Sequence, residues 1–86
     1  MNNSNKVLVS LSVPEIDETF DILIPISRKV GNIIELINRI LEENTKGKYK
    51  GTKTQNLYNK ITGERYNINL LVIETNIRNG TQIVLI

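Results

Sequence analysis

Between Ser27 and Glu43 the apolar residues recur at the spacing of one face of an α-helix. The other positions hold mostly charged and amide side chains, so the pattern predicts an amphipathic helix over about residues 27–44. Ser27 is the predicted N-cap, because a serine hydroxyl accepts a hydrogen bond from a free N–H of the first turn. Gly31 is the weakest helix former within it. The apolar stripe, which Leu36 widens, consists of Val30, Ile33, Ile34, Ile37, Ile40 and Leu41.

Two stretches before the helix alternate with the period of two that is typical of β-strands. They are Lys6–Val13 and Phe20–Ile26, and Pro14–Glu18 between them has the composition of a turn. The pattern therefore predicts a hairpin. Pro25 has no N–H to donate to a neighbouring strand, so we expect the second strand to lie at an edge of its sheet.

The chain after the helix predicts shorter elements. Leu57 lies at the centre of a predicted strand, Gln55–Asn59, and Asn79–Gly80 is typical of a tight turn before a final strand, Thr81–Ile86. An alternative use of that turn is a hairpin that joins Leu71–Ile77 to Gln82–Ile86. The remaining expectations are a turn at Lys60–Glu64 in which Gly63 takes a positive φ, a brief return strand at Arg65–Ile68, and a short helical turn within Leu70–Ile77.

Taken in order, these elements predict an α+β domain of the β-grasp type. The last strand ends in consecutive apolar residues, as a central strand does, so we place it beside the first strand and parallel to it. The sheet is then mixed, with four to five strands, and the helix packs across one face. Residues 1–5 are predicted to be a disordered tail and residues 6–86 a single domain. The predicted core comprises Val7, Val9, Leu11, Phe20, Ile22, Ile24, Val30, Ile33, Ile34, Ile37, Leu57, Ile77, Ile83 and Leu85.

The composition lacks the side chains that enzymes use most often in catalysis. The 86 residues include no cysteine and no histidine, so the chain lacks a thiolate, the commonest general base and the commonest metal ligand. We therefore predict a protein that is not an enzyme and that uses no cofactor or metal. The net charge of +2 is too small to indicate nucleic acid or a membrane surface by itself. No apolar run reaches the roughly 18 residues of a membrane span, and we expect a cytoplasmic protein.

The sheet face that points away from the helix is the first predicted site. If Val9, Leu11, Ile83 and Leu85 face the helix, apolar residues on the same strands must face solvent. Such a cluster predicts a docking surface for another protein. The alternative is that these are ordinary single exposed apolar residues, or that the register is shifted by one. The predicted partner-binding residues are Leu8, Tyr58, Val84 and Ile86, and Leu23 joins them if the hairpin register brings it alongside.

A lysine-rich loop after the helix is the second predicted site. In a binding role its lysines would hold phosphate or an acidic protein, and its tyrosine would stack on a nucleobase. The alternative is a solvated loop without a binding role. Nucleic acid is the less favoured partner, since nine acidic residues dilute eleven basic ones. The loop residues are Lys46, Lys48, Tyr49, Lys50 and Lys53.

Two further features belong to the hairpin. The acidic residues of its turn are Glu15, Asp17 and Glu18, with Asp21 nearby, but they lack the spacing of a calcium loop and are interpreted as a charged turn. The edge strand Phe20–Ile26 offers a site for strand addition by a partner or by a second copy of the chain. Asp21 also helps to keep that strand from pairing with another chain.

The hairpin that leads into an amphipathic helix, together with the ending Val72–Ile86, resembles the ubiquitin-like fold. The sequence from Ile77 to Leu85 is most similar to the ending of small bacterial proteins of the YukD/EsaB type. That resemblance implies an accessory component of a type VII (WXG100) secretion system, with another protein, such as a membrane component of that system, as the partner. The chain stops at Ile86 without Gly-Gly, so we do not expect a conjugatable modifier. A small nucleic-acid-binding β-grasp domain that uses Lys46–Lys53 is the alternative.

Overall fold

The computed structural model describes residues 5–51 and 55–86. Its regular elements are four β-strands, one α-helix and two single 3₁₀ turns, and the prediction of an α+β fold is confirmed. Neither α1 nor the 3₁₀ turns in these ranges are long and apolar enough to cross a membrane. The strands are β1 (Lys6–Val13), β2 (Glu18–Pro25), β3 (Leu57–Asn59) and β4 (Gln82–Leu85), the helix is α1 (Val30–Asn44), and the 3₁₀ turns are Pro14–Ile16 and Val72–Glu74.

The strands form one mixed sheet in the order β2–β1–β4–β3. β1 pairs antiparallel with β2 and parallel with β4, and β3 closes the other side antiparallel to β4. The apolar strand β4 is therefore central, and β2 lies at an edge, as its proline predicts. This is the predicted β-grasp arrangement, with four strands in the described part of the chain.

The core lies between one face of this sheet and α1. Every residue of the predicted core is either buried or, for Phe20 and Ile22, half-buried and packed against the core. Five further residues belong to the core. Val13 and Leu41 extend the buried faces of β1 and α1, whereas Tyr49, Tyr66 and Val72 come from connecting segments where no periodicity marks them. Ile40 of the predicted stripe is instead 46% exposed, because the stripe is wider than the surface that the sheet offers.

The helix begins at Val30, so the prediction of Ser27 as its N-cap is wrong. A second segment holds the two residues before the helix: the Val72 N–H donates to the Arg28 carbonyl, and Lys29, which is extended, forms a β-bridge with Leu71. The first free N–H groups of the helix then donate to carbonyls of that segment. Val30 donates to Leu70 at 2.9 Å and Gly31 to Ile68 at 3.0 Å. Backbone carbonyls that are distant in sequence therefore accept the N–H groups that a side-chain cap would otherwise satisfy.

The same segment, residues 68–72, explains why a second prediction, the return strand after β3, is wrong. The predicted return strand Arg65–Ile68 is reduced to one isolated bridge between Arg65 and Tyr58, because the carbonyl of Ile68 is directed to the helix start. The predicted helical turn is confirmed at Val72–Glu74, and Gly63 has the predicted positive φ of 75°.

The alternative hairpin at Asn79–Gly80 does not form. The turn is tight, with Gly80 at a φ of 87°, but it binds β1 rather than joining two strands. The Gly80 N–H donates to the Leu8 carbonyl at 2.8 Å, and the Asn79 Oδ1 accepts the Leu8 N–H at 2.8 Å. The turn therefore extends the attachment of β4 to β1 beyond the strand itself.

We predict that Gly31→Ala lowers the free energy of unfolding, although alanine is the better helix former by about 1 kcal/mol. A Cβ at Gly31 would lie 3.2 Å from the carbonyl oxygen of Ile68, the oxygen that accepts the Gly31 N–H. Moving that carbonyl weakens the bond that satisfies the helix start. Urea unfolding followed by circular dichroism measures the change.

Asn32→Ala is the matched control, because Asn32 is the next residue of the helix and is exposed. It should raise the free energy of unfolding by roughly half a kcal/mol. If Gly31→Ala raised the free energy of unfolding by as much as Asn32→Ala or by more, the close approach of the Ile68 carbonyl would not be destabilising.

Candidate functional site

The outer sheet face, which points away from α1, follows from the burial pattern and the strand register. Along β1 and β4 alternate residues are buried against the helix, and those between them are more exposed. Strand pairing then fixes which outer residues are neighbours: Leu8 lies opposite Leu23, and Tyr58 lies opposite Val84. The outer sheet face consists of Lys6, Leu8, Ser10, Ser12, Thr19, Asp21, Leu23, Pro25, Tyr58, Gln82, Val84 and Ile86.

Tyr58, Val84 and Ile86 form one apolar group, which we call the Tyr58 patch. Ile86 continues the alternation of β4, and its backbone exchanges two hydrogen bonds with Asn56, at 2.8 and 3.1 Å. Its side chain is 56% exposed, while Tyr58 and Val84 are half-buried by their neighbours. The structure therefore brings together three of the four residues predicted for the docking surface.

Leu8 lies apart from the Tyr58 patch. Val84 is level with Ser12 on β1, four residues from Leu8, which is about 13 Å along a strand. Leu8 instead forms a second exposed pair with Leu23. Polar side chains fill the space between: the hydroxyls of Ser12 and Thr19 are 3.4 Å apart, and the Lys60 ammonium donates to the Ser12 hydroxyl at 3.3 Å. The predicted cluster is thus two apolar groups on one face.

A buried polar network fixes β3, the strand that carries Tyr58. The Asn59 amide donates to the Tyr66 hydroxyl at 3.0 Å, and that hydroxyl donates to the Asn76 Oδ1 at 2.7 Å. The Asn59 Oδ1 accepts the N–H groups of Ile61 and Thr62 and closes the following turn. Sequence analysis missed this network, although an asparagine at the end of a strand before Ile-Thr-Gly is a recognisable turn signal.

The lysine-rich loop is anchored by the residue that was predicted to be its binding group. Tyr49 is fully buried, and its hydroxyl donates to the Asn38 Oδ1 and accepts from the Gln55 Nε2, both at 2.5 Å. Its N–H donates to the Thr45 hydroxyl at 2.9 Å. The predicted stacking role of Tyr49 is wrong, because no face of its ring reaches solvent.

The lysines of this loop have acidic neighbours. Lys46, Lys48 and Lys50 are exposed, and Lys53 lies outside the described residues. The Glu15 carboxylate accepts the Lys50 N–H at 3.4 Å, and the Glu42 carboxylate accepts the Gly51 N–H at 3.2 Å. These two negative charges beside the lysines weaken the positive potential that a nucleic acid would need.

The acidic turn offers no cluster of ligands for a cation. Among residues 5–51 and 55–86, no group of three or more acidic side chains is placed to hold a metal ion. Glu15, a member of the turn, reaches toward the lysine-rich loop.

No protein-family model and no curated protein sequence matches this chain, whereas many solved structures match it in fold. The ubiquitin-like domain of an Arabidopsis thaliana protein superposes with a TM-score of 0.71 at 18% identity, over 100% of this chain and 81% of that one. A chain of the ESX-5 inner membrane complex gives 0.68 at 15% identity, over 94% of this chain and 20% of that one. A chain of the pParkin–pUb–UbcH7 complex gives 0.73 at 8% identity, over 99% and 24%. The fold is therefore ubiquitin-like.

We predict that alkaline pH destabilises the protein through its two buried phenols. Burial raises the pKa of Tyr49 and of Tyr66 above the 10.0 of an exposed tyrosine. Above that value the unfolded chain has already released protons that the folded chain still holds, so the free energy of unfolding falls as the pH rises. The contribution is fully present below pH 10.0, the value for an exposed phenol.

Urea unfolding at about pH 8 and about pH 11 tests this expectation. The control is the double variant Tyr49→Phe/Tyr66→Phe, which is less stable at the lower pH because it loses hydrogen bonds. Its free energy of unfolding should fall less between the two pH values than that of the wild type. Equal losses for both proteins would show that other groups cause the alkaline destabilisation.

Proposed function

We propose that this protein is a non-catalytic interaction module and an accessory component of a bacterial type VII secretion system, acting in the cytoplasm. It docks on another protein, a membrane component of that system, through the Tyr58 patch of its outer sheet face. No reaction is assigned to the chain, which has neither histidine nor cysteine.

The observation that carries the proposal is the arrangement of the Tyr58 patch. Its three apolar side chains lie side by side on two paired strands rather than on a loop, with Ile86 56% exposed and Tyr58 and Val84 half-buried. A tyrosine with an apolar ring and a polar hydroxyl is a frequent centre of binding energy at interfaces. Because the buried network of Asn59 and Tyr66 holds β3 in place, little conformational entropy is lost when a partner binds.

The structural neighbours support protein partnership. Two of them are chains of multiprotein complexes, and one of these is the ESX-5 inner membrane complex, a secretion complex. The likeness to that chain agrees with the type VII role that the ending Ile77–Leu85 suggests. The nucleic-acid alternative loses its main support, since Tyr49 is buried and cannot stack on a base.

Tyr58→Ser/Val84→Ser should abolish binding to the partner while leaving cooperative unfolding intact. Removing the aromatic centre of an interface typically costs roughly 2 kcal/mol or more of binding free energy. The measurement is a pull-down from native lysate, with soluble and detergent-solubilised membrane fractions kept separate, at low salt and at ~200 mM salt.

Ile61→Ser is the matched control, because Ile61 is 75% exposed on the turn after β3 and lies outside the outer sheet face. It should retain the partner. Capture by the wild type and by Ile61→Ser, but not by the double variant, from the membrane fraction at both salts supports the proposal. Capture that disappears with nuclease or with salt would assign the function to nucleic acid instead.

A further inference from the structure

Asn79 is the only asparagine in the sequence that a glycine follows. An Asn-Gly pair is chemically labile, because the backbone nitrogen of the glycine attacks the side-chain amide carbon of the asparagine. Glycine has no Cβ to hinder that approach. The attack expels ammonia and closes a five-membered succinimide ring. Water then opens the ring, so the side-chain amide is exchanged for a carboxylate.

The turn that contains this pair is exposed and has a defined geometry. The Thr81 N–H donates to the Arg78 carbonyl at 3.1 Å, and the Arg78 N–H donates to the Thr81 hydroxyl at 2.8 Å. Of the two central residues only Gly80 has a positive φ, which is 87°, so the turn is of type II. Arg78, Asn79 and Gly80 are all exposed, so water reaches the reacting atoms.

The type II geometry keeps the two reacting atoms apart. The first central residue of such a turn has a ψ of about 120°, which in an L-residue turns the next backbone nitrogen roughly 120° away from Cβ. Ring closure needs this nitrogen and Cβ to be eclipsed, so that the Gly80 nitrogen faces the side chain of Asn79. The turn must therefore open before the ring forms.

Two hydrogen bonds to Leu8 hold the turn closed. The Gly80 N–H donates to the Leu8 carbonyl at 2.8 Å, and the Asn79 Oδ1 accepts the Leu8 N–H at 2.8 Å. The first bond retains the proton that the nitrogen must lose to become a nucleophile. The second polarises the amide carbonyl, but this has no effect while the nitrogen is protonated and turned away. The contacts with Leu8 therefore protect Asn79.

We propose that Asn79 is a site of spontaneous deamidation, and that its contacts with Leu8 confine the reaction to molecules in which the turn has opened. Water supplies the oxygen of the new carboxylate and ammonia carries away the side-chain nitrogen, so the step needs no oxidant or metal. The net charge of +2 falls by one. This site does not depend on the function proposed above.

The two products differ in their effect on the fold. Opening of the ring at the former side-chain carbonyl gives aspartate, whose carboxylate still accepts the Leu8 N–H. Opening at the backbone carbonyl gives isoaspartate, in which the main chain runs through the former side chain and is longer by a methylene group. The Gly80 N–H and the carboxylate then no longer both reach Leu8. The isoaspartate form therefore loses the attachment to β1 that precedes β4.

Incubation of the folded protein at mildly alkaline pH, beside a synthetic peptide of Ile77–Gln82, tests the site and its protection. Peptide mapping by mass spectrometry measures the rate of conversion at Asn79. The rate in the folded protein should be at least about tenfold lower than in the peptide, because it scales with the fraction of molecules whose turn is open. An equal or higher rate in the protein would overturn the protection, and conversion at another asparagine but not at Asn79 would overturn the site.

Thr81→Ala tests whether opening of the turn limits the rate. It removes the hydroxyl that accepts the Arg78 N–H and leaves the Asn-Gly pair unchanged. Loss of this bond should raise the rate at Asn79 in the folded protein by about fivefold and leave the rate in a peptide with the same change as it was. Equal acceleration in protein and peptide, or no conversion in either folded protein, would overturn the proposal.

Thr62→Ala is the matched control, because the Thr62 hydroxyl accepts the Glu64 N–H at 3.2 Å in the turn after β3. It loses the same kind of bond at another exposed turn and should leave the rate at Asn79 unchanged. If it accelerated conversion as much as Thr81→Ala does, the stability of the whole fold would set the rate, and local opening of the turn would be ruled out.

Urea unfolding of the separated products tests their structural difference. Asn79→Asp, which matches the aspartate product, should unfold at nearly the same urea concentration as the wild type. The isoaspartate form, isolated by chromatography, should unfold at a lower concentration, because it lacks both bonds to Leu8. An isoaspartate form as stable as Asn79→Asp would show that these bonds do not attach β4 to β1.

Discussion

Helix α1 is not stable by itself, and the rest of the structure covers its apolar face and supplies acceptors for its first N–H groups. A single amphipathic helix of this length is marginal in water until its apolar face is covered. The central strands β1 and β4 cover that face. The first N–H groups of the helix lack a side-chain cap and are satisfied by the carbonyls of Ile68 and Leu70, far along the chain. Helix formation therefore depends on the return of residues 68–72, which links the two halves of the sequence into one cooperative unit.

This solution leaves the sheet asymmetric. With one helix, only one face of a four-stranded sheet is covered in the described part of the chain, and the other face must meet solvent or a partner. Between the Leu8–Leu23 pair and the Tyr58 patch the outer sheet face is polar, as expected for a solvated surface. The Tyr58 patch departs from that pattern at the β3–β4 side, where hydrogen bonds that join Asn59, Tyr66 and Asn76 hold the end of β3. The apolar group thus lies on the strand that these hydrogen bonds hold in place.

The spacing of apolar residues along the sequence predicts those elements that bury one face. The hairpin, the helix, the parallel placement of β4 and the helix-facing core all depend on burial of one face, which leaves a direct signal in the sequence. The start of α1 could not be predicted in this way, since the groups that replace Ser27 as the cap are backbone carbonyls about forty residues away. The stacking role of Tyr49 is wrong for a related reason. A tyrosine among lysines and glycines has the sequence pattern of an exposed residue, and the partners of its hydroxyl, Asn38 and Gln55, are known only from the folded loop. Leu8, Tyr58 and Val84 lie on the face away from the helix, as the alternation predicts, and their binding of a partner stays a prediction. Their division into two groups needed the register, which sets Val84 level with Ser12 rather than with Leu8.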